Sequence, residues 1–328
     1  MKHVFHPNGG SVANLYSLND KNVWVAGHNG MVGSAIVRRL EQENCTIITA
    51  GRNQLDLTKQ DKVIHWVSEN DIDAIIIAAA KVGGIHANTT YPAEFLHDNL
   101  MIAANIIEAA KQKNIEKLLF LGSSCIYPRQ AQQPMKEEAL LTGALEPTNE
   151  WYSIAKIAGI KLCQAYRQQY GCDFISGMPT NLYGPCDNFH PENSHVPAAL
   201  LQRFHQAKTS DAPTVSVWGT GTPKREFLYS DDLADGCIFL MKNYSDNSHV
   251  NIGTGQAETI KSFANMIKNT VGYEGELCFD TSKPDGMPTK VMDVSKINDM
   301  GWKAKTSLQD GLQQYYSWFL ENQSQLRK

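Results

Sequence analysis

From Val23 to about Gly184, short apolar runs alternate with amphipathic stretches, an order that few folds accept. Strand-like runs cover residues 23–26, 46–49, 74–79, 117–121 and 174–178. Helix candidates lie between them at 31–43, 93–113 and 152–170, and Gly171 supplies a stop for the last. Alternation of this kind predicts an α/β protein built on a doubly wound parallel sheet. After Gly184 the pattern loosens. Loops rich in Pro, Asn, Gly and Ser cross residues 185–194, 218–223 and 281–288, with helical elements at 228–241 and 260–271. We therefore expect a Rossmann-like domain over residues 21–184 and a smaller α/β substrate lobe over residues 185–328, some of whose elements return to the main sheet. Residues 1–20 read as a flexible polar extension that carries no chemistry.

With 328 residues, 42% hydrophobic, the chain is long enough for a main core and a second, smaller one. A net charge of −4 argues against a dedicated nucleic-acid binder but leaves room for local phosphate sites. The longest apolar stretch, residues 74–80, is far short of a membrane span. Residues 1–20 hold no apolar signal core, so no secretion is expected. The cysteines number seven, are scattered and form no Cys-x-x-Cys, which fits reduced thiols in the cytoplasm. The His residues show no His-Glu-x-x-His spacing, and no metal site is expected.

The first strand ends at Gly27, and Gly27, Gly30 and Gly33 then form Gly-x-x-Gly-x-x-Gly as the first helix begins. A pyrophosphate needs close backbone approach at a helix N-terminus, where unpaired N–H groups and the dipole favour anions. The second strand ends in Thr49-Ala50-Gly51-Arg52. An acidic residue there would bond a ribose 2′-hydroxyl, whereas Arg52 suits a 2′-phosphate. The expected cofactor is thus NADP(H).

Asn149-Glu150-Trp151-Tyr152-Ser153-Ile154-Ala155-Lys156 places Tyr152 and Lys156 four residues apart, one above the other on a helix. A free Tyr titrates near ~10. The Lys ammonium favours the phenolate and so is expected to lower that value. A Tyr tuned in this way serves as general acid in ketone reduction. The buried strand at 117–121 runs into Gly122-Ser123-Ser124-Cys125. A hydroxyl at such a strand end can donate to a substrate carbonyl. Ser123 is the first choice for that role and Ser124 the second.

The glycine loop, the Ser turn and Tyr-x-x-x-Lys together resemble the extended short-chain dehydrogenase/reductase family. Longer stretches strengthen the likeness, among them Ala78-Ala79-Ala80-Lys81-Val82-Gly83-Gly84-Ile85, Asp187-Asn188-Phe189-His190-Pro191, Asn193-Ser194-His195-Val196, Arg225-Glu226-Phe227-Leu228 and Ser282-Lys283-Pro284-Asp285-Gly286. The likeness runs from about Lys21 to the C-terminus and includes the substrate lobe. It points to members that take GDP-4-keto-6-deoxy-D-mannose, epimerise C3 and C5, and reduce C4.

The resemblance implies a catalytic set of Ser123, Tyr152 and Lys156 for reduction, with Cys125 and His195 moving the α-protons. It implies a cofactor loop of Gly27, Asn29, Gly30, Met31, Val32 and Gly33, with Lys156 also bonding the nicotinamide ribose. For the nucleotide sugar it offers Asn181, Arg203, Trp218, Arg225 and Lys283; the cations suit a diphosphate and Trp218 a flat or apolar part of the ligand. A homodimer through the helices at 93–113 and 152–170 is also implied. Three departures stand out. Asn29 replaces an Arg common near the cofactor phosphates, Trp151 replaces a Pro before the catalytic Tyr, and Pro197 closely follows His195. Two sister activities remain open at this point. One acts on a 3-deoxy sugar and epimerises only C5; the other is a simple C4 epimerase, which has no need of Cys125 and His195. A non-catalytic NADP sensor on the same fold would have no use for the catalytic side chains.

Overall fold

A computed structural model describes residues 15–283 and 285–326. The first half contains strands β1 (Lys21–Ala26), β2 (Cys45–Ile48), β3 (Ala74–Ile77), β4 (Lys117–Leu121) and β5 (Phe174–Pro179). Helices α1 (Met31–Leu40), α2 (Gln60–Glu69), α3 (Ile85–Thr90), α4 (Pro92–Gln112) and α5 (Glu150–Tyr170) connect them. The second half adds β6 (Asn181–Tyr183), α6 (Val196–Thr209), β7 (Thr214–Trp218), β8 (Lys224–Arg225), β9 (Phe227–Tyr229), α7 (Ser230–Asn243) and β10 (Val250–Ile252). It closes with β11 (Glu258–Thr259), α8 (Ile260–Val271), β12 (Glu276–Asp280), β13 (Thr289–Lys290), α9 (Ser295–Asp299) and α10 (Leu308–Glu321).

The main sheet has the order β10-β5-β4-β3-β1-β2, with every pairing parallel. Strands β3 and β4 and the second part of β1, residues 23–26, are almost entirely apolar, as required of strands covered on both faces. Helices α2, α4 and α5 pack side by side, while α1 packs against α7. Helix α5 fits closely because Gly159 faces the Phe120 ring, where any Cβ would collide. Gly171 ends α5 in the left-handed conformation at φ 71°.

The chain leaves the sheet after β5 and returns, since β10 pairs in parallel with β5 at Val250↔Gly177. Helix α7 also joins the main core through Leu233, Cys237, Ile238 and Met241. A second core lies around Tyr183, Phe204, Phe263, Tyr315 and Phe319. Three small sheets surround it, formed by β11-β8-β13, β12-β7 and β6-β9.

The flexible extension expected over residues 1–20 needs correcting at its end; residues 1–14 lie outside the described residues. Leu18 is buried, the amides of Leu15 and Tyr16 donate to the Lys242 carbonyl at 2.8 and 3.1 Å, and the Tyr16 hydroxyl donates to Glu116 at 2.9 Å. The segment from residue 15 is therefore anchored to the body of the fold through the Leu15 amide, Tyr16 and Leu18.

Candidate active site

The strand order reverses between β1 and β3, so the crevice beyond their carboxyl ends is the expected ligand position. The glycine loop lies there. Gly27 adopts φ 92°, and a Cβ on it would sit 2.6 Å from the Ala79 backbone after β3. A Cβ on Gly33 would run into the Gly27 carbonyl oxygen. These glycines are required by the close approach of backbone to backbone, which leaves an open cradle at the start of α1. Gly30 caps that helix without a side-chain bond, so its first N–H groups face the cradle. Beside it the His28 Nδ1 is buried with no hydrogen-bond partner among the described residues. Arg52 is exposed on the turn after β2. A dinucleotide with a 2′-phosphate fits this set: an amide cradle for the pyrophosphate and a cation for the extra charge.

Ser123 ends the stretch after β4 and caps a single helical turn, Ser124–Ile126, by accepting the Cys125 amide at 3.3 Å. Ser124 is buried and Ser123 is the outer hydroxyl of the two. The turn is riveted to α5 by Ser153, whose hydroxyl donates to the Cys125 carbonyl at 2.9 Å. Tyr152 is thereby held beside both neighbours. Its phenol pKa is raised, first by burial and then by the electrostatic influence of Cys125, while the Ser123 hydroxyl opposes both.

The lowering expected from Lys156 is overturned. Lys156 Nζ donates to the Leu121 carbonyl at 2.8 Å and lies 5.7 Å from the Tyr152 ring centroid. Burial pushes the Lys156 amine itself down to about 7. Burial thus disfavours the charged form of both groups, the ammonium as well as the phenolate. The phenol consequently stays protonated, as a proton donor must.

Cys125 Sγ accepts from Asn149 Nδ2 at 3.2 Å and from Lys290 Nζ at 3.3 Å. His195 caps α6, with Pro197 seated in the first turn where a missing N–H costs nothing. Crowding by the surrounding protein lowers the His195 pKa although the residue keeps surface in the cleft, and the Lys290 ammonium lowers it further. Lys290 thus acts on both groups. Trp151 continues α5 as a regular helical residue with an exposed ring, so the expected change in how the chain enters that helix is not seen.

The four residues expected at the nucleotide end gather around one loop. Trp218 is 55% exposed, and its ring has Arg203 at 5.6 Å and Lys283 at 5.4 Å from the centroid. Asp285 accepts from the Thr220 amide at 2.7 Å, and its carbonyl accepts from Arg225 at 3.3 Å. Two cations flanking an exposed aromatic ring, with a third nearby, suit a planar base carrying a diphosphate. Asn181 stands apart in one respect: its side-chain amide is already bonded to the Glu226 carbonyl at 2.8 Å.

Sequence reasoning missed Lys290, Asn149 and Ser153 as parts of the site. Lys290 follows Pro288 and Thr289 in a segment with no periodic pattern, and a Lys in such a setting reads as solvated surface. Asn149 and Ser153 lie inside the Tyr-x-x-x-Lys stretch, but only the contact with the turn after β4 gives them a function.

A doubly wound sheet with this cradle, the Ser–Tyr–Lys set and a nucleotide lobe defines a short-chain dehydrogenase/reductase of the extended type. The chain belongs to the NAD dependent epimerase/dehydratase family, whose model matches residues 23–253. It is 59% identical to GDP-L-fucose synthase 1 of Arabidopsis thaliana over 309 residues, covering 93% of this chain and 96% of that one. It is 53% identical to the GDP-L-fucose synthase of Escherichia coli strain K12 over 320 residues, covering 94% of this chain and 100% of that one. A solved GDP-L-fucose synthetase from Naegleria fowleri bound to NADP shares the fold with TM-score 0.90 at 27% identity, covering 97% of this chain and 99% of the other.

Proposed function

We propose that this protein converts GDP-4-keto-6-deoxy-D-mannose to GDP-L-fucose, epimerising C3 and C5 and then reducing C4 with NADPH. One observation carries the reading. The Cys125 thiol, held by two donors, adjoins the Tyr152 phenol, so α-proton chemistry and ketone reduction share one site.

The C4 ketone acidifies the hydrogens on both neighbouring carbons. Cys125 as thiolate removes an α-proton and becomes the thiol, leaving an enolate whose charge rests on the C4 oxygen. Ser123 and the Tyr152 hydroxyl face that developing charge. His195, lowered in pKa, forms an imidazolium that is a stronger acid than usual and returns a proton on the opposite face. The glycine loop, Arg52 and Lys156 hold the dinucleotide, which supplies the hydride that goes to C4. Tyr152 then gives its proton to the C4 oxygen. Arg203, Arg225, Lys283 and Trp218 anchor the GDP end and so orient the sugar.

A homodimer is part of this reading. Helix α5 leaves a stripe of Trp151, Ile154, Ala158, Leu162 and Ala165 partly exposed along one face. Leu96, Leu100 and Ala104 do the same on the neighbouring α4. A second copy packing its own α4 and α5 there would cover both stripes. We place the enzyme in the cytoplasm, where all seven cysteines would remain free thiols. Among the described residues no helix is long and apolar enough to cross a membrane.

Incubation with NADPH and GDP-4-keto-6-deoxy-D-mannose, followed by NMR of the product, tests the reading. GDP-L-fucose is expected. A product epimerised at neither carbon, or turnover only of the 3-deoxy analogue, would overturn it.

A further inference from the structure

Lys290 carries a feature that the reaction scheme above does not use. Its ammonium makes no ion pair among the described residues, although the side chain is half-buried. The one side-chain bond it donates goes to Cys125 Sγ at 3.3 Å. A half-buried cation without a carboxylate favours an anion beside it. Here the available group is the thiol.

The backbone around Lys290 is firmly placed. Strand β13 pairs with β8 so that Lys290 lies opposite Arg225. Glu226, fully buried, accepts the Met292 amide at 2.8 Å and the Thr254 and Gly255 amides at 2.6 and 3.0 Å. The Val291 amide is fixed by Gln133 at 2.9 Å. Ahead of Lys290 the Pro288 carbonyl accepts the Lys224 amide at 2.8 Å, so the strand is pinned on both sides of it, and the ammonium reaches the turn after β4.

We propose that Lys290 is the positioning residue for proton abstraction: its ammonium, with Asn149 Nδ2, holds the Cys125 sulfur, offsets the charge the sulfur carries as a base, and keeps it aimed into the sugar site. The proposal rests on the function given above, and Lys290 acts through Cys125 without touching the reacting carbons. The groups facing the sulfur are Ser123 from its own turn, Asn149 and Tyr152 from the start of α5, and Lys290 from β13. His195 shares the same ammonium as a neighbour. Of these, Lys290 alone is a cation that favours the anionic sulfur. The transfer balances within the pair: the thiolate gains the α-proton, the substrate keeps the electrons as enolate, and the ammonium loses its counter-ion until the thiol is deprotonated again.

The test compares wild type with Lys290→Met and Lys290→Arg. Iodoacetamide labelling of Cys125, followed by mass spectrometry of its peptide across pH, reads the thiolate without any substrate. A cation at hydrogen-bond range favours an anionic partner by about a factor of ten or more. Lys290→Met should therefore label roughly tenfold more slowly at neutral pH, with its labelling profile displaced to higher pH. Lys290→Arg should recover most of the rate, because the charge is kept. With substrate, Lys290→Met should lower kcat for deuterium exchange at C3 and C5 roughly tenfold or more while KM stays near the wild-type value. Superimposable labelling profiles, or an Arg variant that behaves like Met, would overturn the proposal. If Lys290→Met labels more slowly than wild type yet the wild type exchanges no hydrogen on the GDP sugar, the substrate assignment is overturned instead, leaving the Lys290–Cys125 pairing supported.

Discussion

At the scale of single residues, the proposed mechanism divides the chemistry between Tyr152 and Cys125. In that scheme the phenol is needed when the C4 oxygen takes its proton, whereas the thiol works before any hydride moves. Tyr152→Phe should therefore continue to exchange C3 and C5 hydrogens with deuterated water and fail to oxidise NADPH; simultaneous loss of both in a folded, ligand-binding variant would refute the division. Arg52, exposed on the turn after β2, is assigned to the cofactor alone in the same scheme. Charge-assisted contacts contribute roughly 1.5–3 kcal/mol, so Arg52→Ala should weaken NADPH binding about ten- to a hundredfold and NADH binding far less, as read by fluorescence titration. Lys156 gives a pH dependence with a definite sign. Its ordinary value of 10.5 falls to about 7 in the folded protein. Between those values the unfolded chain binds more protons than the folded one, so this group's contribution to stability grows as pH rises through the window and is lost as pH falls toward 7. Without cofactor, wild type should gain stability over Lys156→Met by up to about 1.4 kcal/mol per pH unit between pH 7.5 and 9. Parallel urea midpoints across that range would contradict it.

The working parts at the scale of elements are junctions. The loop from β1 into α1 depends on two backbones meeting without a Cβ between them. In Gly33→Ala the added methyl meets the Gly27 carbonyl, which has no flexible side chain to yield. Overpacking of this kind costs about 1–3 kcal/mol. The variant should show a lowered urea midpoint together with weakened NADPH binding, because the same carbonyl shapes the cradle; unchanged NADPH affinity would mean that the loop does not hold the pyrophosphate. The start of α5 is a second junction. Ser153 bonds to both the Cys125 and Asn149 carbonyls at 2.9 Å, which locks the helix carrying Tyr152 to the turn carrying the thiol.

The whole molecule brings two cores to one cleft. The main core positions the dinucleotide cradle, Ser123, Tyr152 and Lys156, while the second lobe supplies Lys290, His195 and the cations about Trp218. The return of α7 and β10 to the main sheet ties these halves together, so they are joined by packing as well as by one linker. Assembly can be tested on the outer face of α5. Ile154, 37% exposed, lies at the centre of the proposed dimer contact and away from the buried face of that helix. Ile154→Glu would place an unpaired charge in an apolar interface. It should convert the dimer to monomer in light scattering with its fold retained by circular dichroism; an unchanged mass in both proteins would remove the α4–α5 interface from consideration.

Much of this architecture is legible in the sequence, for reasons of period and chemistry. The runs at 117–121 and 174–178 and the helix at 260–271 match the structure to within a residue, because sheet strands covered on both faces must be continuously apolar and an amphipathic helix must repeat its stripe. Gly27, Gly33, Tyr152 and Lys156 were also readable, since close backbone approach and proton transfer admit few residue types. Three things were decided only by the tertiary structure. Leu15 and Tyr16 are anchored because the Lys242 carbonyl and Glu116, remote in sequence, stand beside them. The Tyr152 pKa rises rather than falls because folding buries the phenol and sets it beside Cys125. Lys290 faces Cys125 across 165 positions of chain, a partnership created by strand register and by the anchoring of Glu226, neither of which leaves a local pattern to read.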